Sequence, residues 1–150
     1  MSAPFRYYLR VRYAECDAQK VVFNARYGDY VDLGFSEFLR ALGYGEAMAS
    51  GALDFQLVKQ TFEWKSSARY DDVIELSPRL KQLGNTSFTL YTGFRIAGTE
   101  AVFATAETVY VHVDGHSLAK QPLPAGLRAA LERGAPGVVI DHAGYLRPPP

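Results

Sequence analysis

The most reactive combination of residue types lies in Tyr13-Ala-Glu-Cys-Asp-Ala-Gln-Lys-Val-Val-Phe-Asn-Ala-Arg-Tyr27. Asp17 is a carboxylate a few residues ahead of Asn24, where a helical pattern begins. The start of a helix leaves N–H groups without intrahelical acceptors, and these favour developing negative charge. A carboxylate that attacks or deprotonates, and N–H donors that hold an oxyanion, would then face one carbonyl group. An Asp ahead of a helix also serves as a turn or capping residue, and the residues alone leave both readings open.

Other chemistries find less support. There is no Gly-x-Ser-x-Gly elbow for a serine hydrolase and no Gly-x-x-x-x-Gly-Lys phosphate loop. His112, His116 and His142 come at or after the last strand and show no metal-ligand spacing with Cys16, so no metal is expected. Asp32 and Glu37 are helical carboxylates and second-choice reactive groups, with an ion pair such as Glu37 with Arg40 as the plainer reading.

The elements that must position these residues are legible from periodicity. From Phe5 to Tyr13, Tyr7, Leu9, Val11 and Tyr13 alternate with Arg6, Tyr8, Arg10 and Arg12, which predicts a strand with one buried face. Tyr27, Tyr30, Val31, Gly34, Phe35, Phe38, Leu39 and Leu42 recur at helical steps, with Asn24 as N-cap and Gly43 as stop. Gly34 in mid-helix implies a close approach of helix to sheet. One or two helical turns follow at Gly45 to Ser50, then strands at about Phe55–Ser66, Val73–Leu83, Ser87–Ile96 and Ala101–Val113. Pro78 cannot donate to a ladder and marks a bulge or an edge. A closing helix is expected at Leu127–Arg133, with a tail ending in Pro148-Pro-Pro. The order is that of an α+β domain in which one antiparallel sheet covers one long helix.

On these residues the chain resembles the hotdog-fold acyl-CoA thioesterases of the 4-hydroxybenzoyl-CoA thioesterase type. The likeness runs from Val11-Arg-Tyr-Ala-Glu-Cys-Asp17 through Val21-Val-Phe-Asn24, Tyr27, Asp32 and Ser36-Glu-Phe-Leu-Arg40 to Ser67-Ala-Arg-Tyr-Asp-Asp72 and Thr86-Ser-Phe88. It implies a five-stranded antiparallel sheet wrapped around one long central helix, in a single domain with its core at about 6–133 and a tail at 134–150. It implies that Asp17 attacks a thioester carbonyl or activates a water, while the N–H at Asn24 polarises the carbonyl oxygen and Phe23 and Tyr27 help to position the acyl group. Coenzyme A is then part of the substrate, no cofactor is required, and an acyl-carrier protein is an alternative donor. The resemblance further implies a homodimer or homotetramer with the site between subunits, strand one or the long helix lying near the interface.

Three positions depart from the family pattern. Lys20 stands where a Gly or Ser commonly follows the catalytic Asp, and Asn24 where many members have His or Tyr. Gly84-Asn85-Thr86 replaces the Arg-Arg-Lys run that binds coenzyme A phosphates in some members. Lys65, Arg69 and Lys81, with Lys59, are the candidates for that duty, since phosphate needs cationic or N–H partners. Phe62 and Trp64 are candidate acyl-pocket walls. A hotdog hydratase or dehydratase and a non-catalytic acyl-CoA binding module are the rival readings.

Composition narrows the classes further. At 150 residues one domain is expected, and sixteen Lys plus Arg against sixteen Asp plus Glu leave no positive excess to draw nucleic acid or an anionic bilayer. Apolar runs reach only four or five residues, against the roughly 20 of a spanning helix. The first residues lack the apolar stretch of a secretory signal and Cys16 is the single cysteine, so a cytoplasmic, disulfide-free protein is expected.

Overall fold

The computed structural model describes residues 3–147. Strand β1 (Arg6–Arg10) leads through short 3₁₀ turns at Tyr13–Glu15 and Asn24–Arg26 into helix α1 (Tyr27–Ala41) and then α2 (Gly45–Ser50). Strands β2 (Asp54–Trp64), β3 (Val73–Leu83), β4 (Ser87–Ile96) and β5 (Val102–Val113) follow, then α3 (Ala125–Arg133) and a short β6 (Val139–Asp141). The strands form one six-stranded sheet in the order β2-β5-β4-β3-β1-β6.

Helix α1 crosses one face of this sheet. At its start the Tyr27 ring meets Trp64 and Phe94 edge-on at 5.6 Å each, and the next residue, Gly28, passes Gln60 of β2. In the middle Phe35 stacks on Tyr110 at 3.9 Å, and toward the end Phe38 packs on Phe5 at 5.4 Å. A Cβ at Gly34 would sit 3.4 Å from Leu76 Cδ2, so the expected close approach is real and leaves little room for more than a methyl. These aromatic contacts form the centre of the core, an apolar burial that drives the fold.

Several sequence expectations need correction. The sheet is six-stranded and mixed, not five-stranded and antiparallel, because β6 pairs parallel to β1 through Arg6 N–H to Val138 O (3.1 Å) and His142 N–H to Tyr8 O (3.0 Å). Three residues are too few for a periodicity to register, so the pairing was hidden in what reads as a tail. Strand β1 stops at Arg10; Tyr13, read as its last inward residue, is 71% exposed. Tyr8, read as outward, is buried because Tyr145 from the C-terminal segment covers it at 5.1 Å between rings. Asn24 opens a 3₁₀ turn and makes no side-chain cap, and beside the long helix α2 lies where helical turns were expected while α3 starts two residues before the expected Leu127. Pro78 lies beyond the part of β3 that β1 covers, so its missing N–H faces no partner strand there, and the bulge comes later, between Leu80 and Gln82. Pro148-Pro-Pro lies outside the described residues.

The two sheet edges differ. At one edge β6 caps β1. At the other β2 carries eleven residues with no further strand beside them among the described residues, and Leu57, Val58 and Trp64 there are exposed, Val58 by 56%. No described helix is long and apolar enough to cross a membrane.

Candidate active site

The segment between β1 and α1 folds back on itself as a small antiparallel pair. Phe23 N–H donates to Glu15 O (2.9 Å), Cys16 bridges Val22, and Asp17 N–H donates to Val21 O (2.9 Å). Asp17 to Val21 is thus a tight turn, closed by Lys20 N–H to Asp17 O at 3.0 Å. Its outer side pairs with the loop before β3: Val22 N–H bonds Ala68 O, Val21 bridges Arg69, and Tyr70 N–H bonds Lys20 O. The Tyr27 hydroxyl accepts the Ala68 N–H at 3.1 Å, which anchors that loop to α1. Tyr27 is 1% exposed and bolts that loop to the core.

Asp17 is exposed, and one of its carboxylate oxygens accepts Gln19 N–H at 2.8 Å. The turn is of the Asx kind that a short acidic side chain favours, and it leaves the second oxygen to solvent. The capping alternative is thus partly right about the geometry: Asp17 caps its own turn while keeping a free oxygen. Lys20 has φ of +63°, a left-handed conformation that glycine adopts without strain.

Asn24 and Phe23 stand at the start of the 3₁₀ turn that leads into α1, both exposed, Phe23 by 51%. No hydrogen bond of the described residues takes the Asn24 N–H. The backbone pairing therefore puts Asp17 and a free N–H at the helix entrance on neighbouring arms of one loop. This arrangement has the parts for carbonyl chemistry: an open carboxylate oxygen and an unpaired donor beside a helix start.

The cationic candidates divide. Arg69 lies beside the Asp17 turn, bridged to Val21. Lys65 and Lys81 lie away from it. Lys65 lines a groove of about 670 Å³ with Glu63, Trp64, Tyr91 and Glu107, and Lys81 pairs with Glu107. Lys59 borders the same region with Lys81. Phe62 and Trp64 stack on each other at 5.4 Å, on the side of β2 that faces α1.

The helical carboxylates have other surroundings. Asp32 has its carboxyl pushed up by partial burial and then by neighbouring Asp29. Glu37 is buried and accepts Arg40 Nε at 3.2 Å, as the spacing implied, and His142 Nε2 also approaches it at 3.9 Å. His142 Nδ1 lies 3.2 Å from the Tyr7 hydroxyl, and His112 Nδ1 lies 3.0 Å from Pro122 O, so both histidines are tied to structure.

The residues that sequence reasoning missed are Glu15, Arg12 and Tyr30. The Glu15 carboxylate takes four donors from Arg12 and Tyr30 immediately before the Asp17 turn. The available signal was Arg12 followed three residues later by an acid, the reciprocal spacing of a capped turn.

Known proteins share this architecture. The chain is 36% identical over 87 residues to a putative esterase of Aquifex aeolicus, covering 57% of this chain and 68% of that one. It is 27% identical over 130 residues to the acyl-CoA thioester hydrolase YbgC of Escherichia coli, covering 86% of this chain and 96% of that one. The structure of the gentisyl-coenzyme A thioesterase BH1999 superposes with a TM-score of 0.76 at 25% identity, over 84% of this chain and 98% of that chain. The family model of the thioesterase-like superfamily matches residues 11–131, from just after β1 into α3 and including the whole Asp17 loop, and the chain belongs to that superfamily.

Proposed function

We propose that the protein hydrolyses an acyl-CoA thioester to free acid and coenzyme A. The observation that carries this reading is the exposed Asp17 carboxylate on a backbone-paired turn, in a chain of the thioesterase-like superfamily. Similarity to an acyl-CoA thioester hydrolase over nearly that protein's whole length supports the substrate class.

An ionised Asp17 oxygen either attacks the thioester carbon or removes a proton from a water that does so. The carbonyl electron pair moves onto oxygen, where the Asn24 N–H is the donor. When the pair returns, the carbon–sulfur bond breaks and the coenzyme A thiolate leaves to be protonated. In the nucleophilic variant water then cleaves the acyl-aspartyl anhydride, which restores Asp17. Phe23 is placed to flank the acyl group. Of the three candidate cations Arg69 is the one paired to the turn; Lys65 and Lys81 are assigned to the phosphates of coenzyme A held on the groove beside β2. Neither step calls for a cofactor.

The unit is a homodimer or homotetramer in this reading. The long bare edge of β2, with Leu57, Val58 and Trp64 exposed, is a surface that a second copy would cover. That moves the proposed interface from strand one, whose edge β6 occupies, to β2 and the flank of α1 above it.

The test is thiol release from a panel of acyl-CoA and acyl-carrier-protein thioesters, with light scattering at the assay concentration. Release of thiol that Asp17→Asn abolishes supports the proposal. Tight acyl-CoA binding without release would make the protein a binding module, hydration of an enoyl substrate would make it a hydratase, and an active monomer would end the shared-site reading.

A further inference from the structure

We infer that Glu15 is a positioning residue for this reaction, locking the backbone arm from which Asp17 projects; the inference rests on the reading of Asp17 given above. Glu15 is 7% exposed, an unusual place for a carboxylate. One oxygen accepts Arg12 N–H at 2.8 Å and the Tyr30 hydroxyl at 2.9 Å. The other accepts Arg12 Nε at 2.9 Å and Nη2 at 2.7 Å. Burial pushes the Glu15 carboxyl up, but the Arg12 guanidinium and N–H and the Tyr30 hydroxyl outweigh it and hold the group below the usual carboxylate range. Glu15 is therefore ionised in the folded protein at neutral pH.

This network is larger than the local turn requires. A turn at Tyr13–Glu15 is closed by Glu15 N–H to Arg12 O, and the Glu15 side chain on Arg12 N–H completes a capping box. The Tyr30 hydroxyl adds a bond from the second turn of α1, fifteen residues away, and so fixes the arm against the helix. The Glu15 main-chain carbonyl in turn holds Phe23 N–H, next to Asn24. One residue thus joins the arm carrying Asp17, the entrance carrying the Asn24 N–H, and the helix behind both. A buried carboxylate with every acceptor position filled holds a single geometry, and a displacement of about 1 Å in a reacting group can cost about 100-fold in rate.

The experiment measures kcat and KM for thioester hydrolysis by Tyr30→Phe and Glu15→Gln, each alone and combined with Asp17→Asn, with melting curves to establish folding. Tyr30→Phe is expected to lower kcat by about 3- to 10-fold and Glu15→Gln by about 10- to 100-fold, with KM within about twofold, because orientation is lost and binding is kept. In the Asp17→Asn background the same changes should alter the residual rate by less than about twofold, the non-additivity of groups that act through one another. An equal loss in both backgrounds, a raised KM with unchanged kcat, or wild-type kcat in both variants overturns the assignment. Wild-type turnover by Asp17→Asn alone overturns the reading of Asp17 instead. Should Glu15→Gln fail to fold, Tyr30→Phe decides the matter, since it removes one hydroxyl and leaves Glu15 paired with Arg12.

Discussion

The arm that ends at Glu15 and the turn that begins at Asp17 are contiguous in sequence and opposite in environment. On the arm, Arg12 and Tyr30 fill the acceptor positions of a buried Glu15 carboxylate, Arg12 from the solvent side and Tyr30 from α1. On the turn, Asp17 spends one oxygen on Gln19 N–H and faces solvent with the other. Both residues are acidic, so charge type does not separate their roles; the number of donors already taken does. A carboxylate with four partners has no lone pair to offer a substrate, and one with a single partner does. In the proposed mechanism holding and reacting are thus divided between neighbours, which would let the reactive group stay open without leaving its backbone loose.

The sharpest way to break this contrast is Asp17→Asn. We expect kcat to fall by about 10² to 10⁴, the range for a positioned acid or base, while the unfolding free energy stays within about 0.5 kcal/mol because the residue is exposed. Denaturant melts beside steady-state rates check it, and a large stability loss would mean that Asp17 is chiefly a structural cap. Glu15→Ala should cost about 1–3 kcal/mol of stability for the donors it leaves unpaired, in addition to the loss of kcat expected for Glu15→Gln. Because the folded Glu15 carboxyl is held low, its contribution is complete above the unfolded value of about 4.3 and is lost as pH falls through the folded value. Stability-versus-pH curves should therefore be flatter in the acid range for Glu15→Gln than for the wild type; superimposable curves would remove the linkage.

A smaller effect of opposite sign is expected at Lys20. Relieving its left-handed backbone with Lys20→Gly should stabilise the protein by about 0.5–1 kcal/mol, the strain less the entropy that glycine adds to the unfolded chain. Thermal melts decide this, and a destabilised Lys20→Gly would show that the lysine side chain contributes more than its backbone costs. The weakest expected effects are those of Asp32→Asn and Glu37→Gln, which should keep kcat within about twofold if the helical carboxylates take no part in the chemistry. A dead Asp32→Asn with an active Asp17→Asn would exchange their roles.

Much of the frame was legible in the sequence because each long element carries its own periodicity. Strands β3 and β4 match the expected bounds of Val73–Leu83 and Ser87–Ile96, and Gly34 marks the helix–sheet contact. What escaped was assembled from distant or very short pieces. Tyr8 is buried only because Tyr145 folds over it, and β6 is a strand only because β1 offers an unpaired edge. Lys65, Arg69 and Lys81 read alike as cations near strand ends, yet only Arg69 is paired to the Asp17 turn, because the register of 20–22 against 68–70 decides it.

The sequence by itself determined that a carboxylate would precede the entrance of a core helix, since residue type, turn chemistry and hydrophobic period are local properties of the chain. It could not determine which of two acids in Glu15-Cys-Asp17 would be buried. That depended on Tyr30 arriving above Glu15 from α1 and on Phe23 pairing with its carbonyl, contacts that exist only once the loop has closed on the helix. Donors that fill every acceptor position of a buried carboxylate convert it into a fastener. Tertiary structure supplied that convergence at Glu15 and withheld it at Asp17.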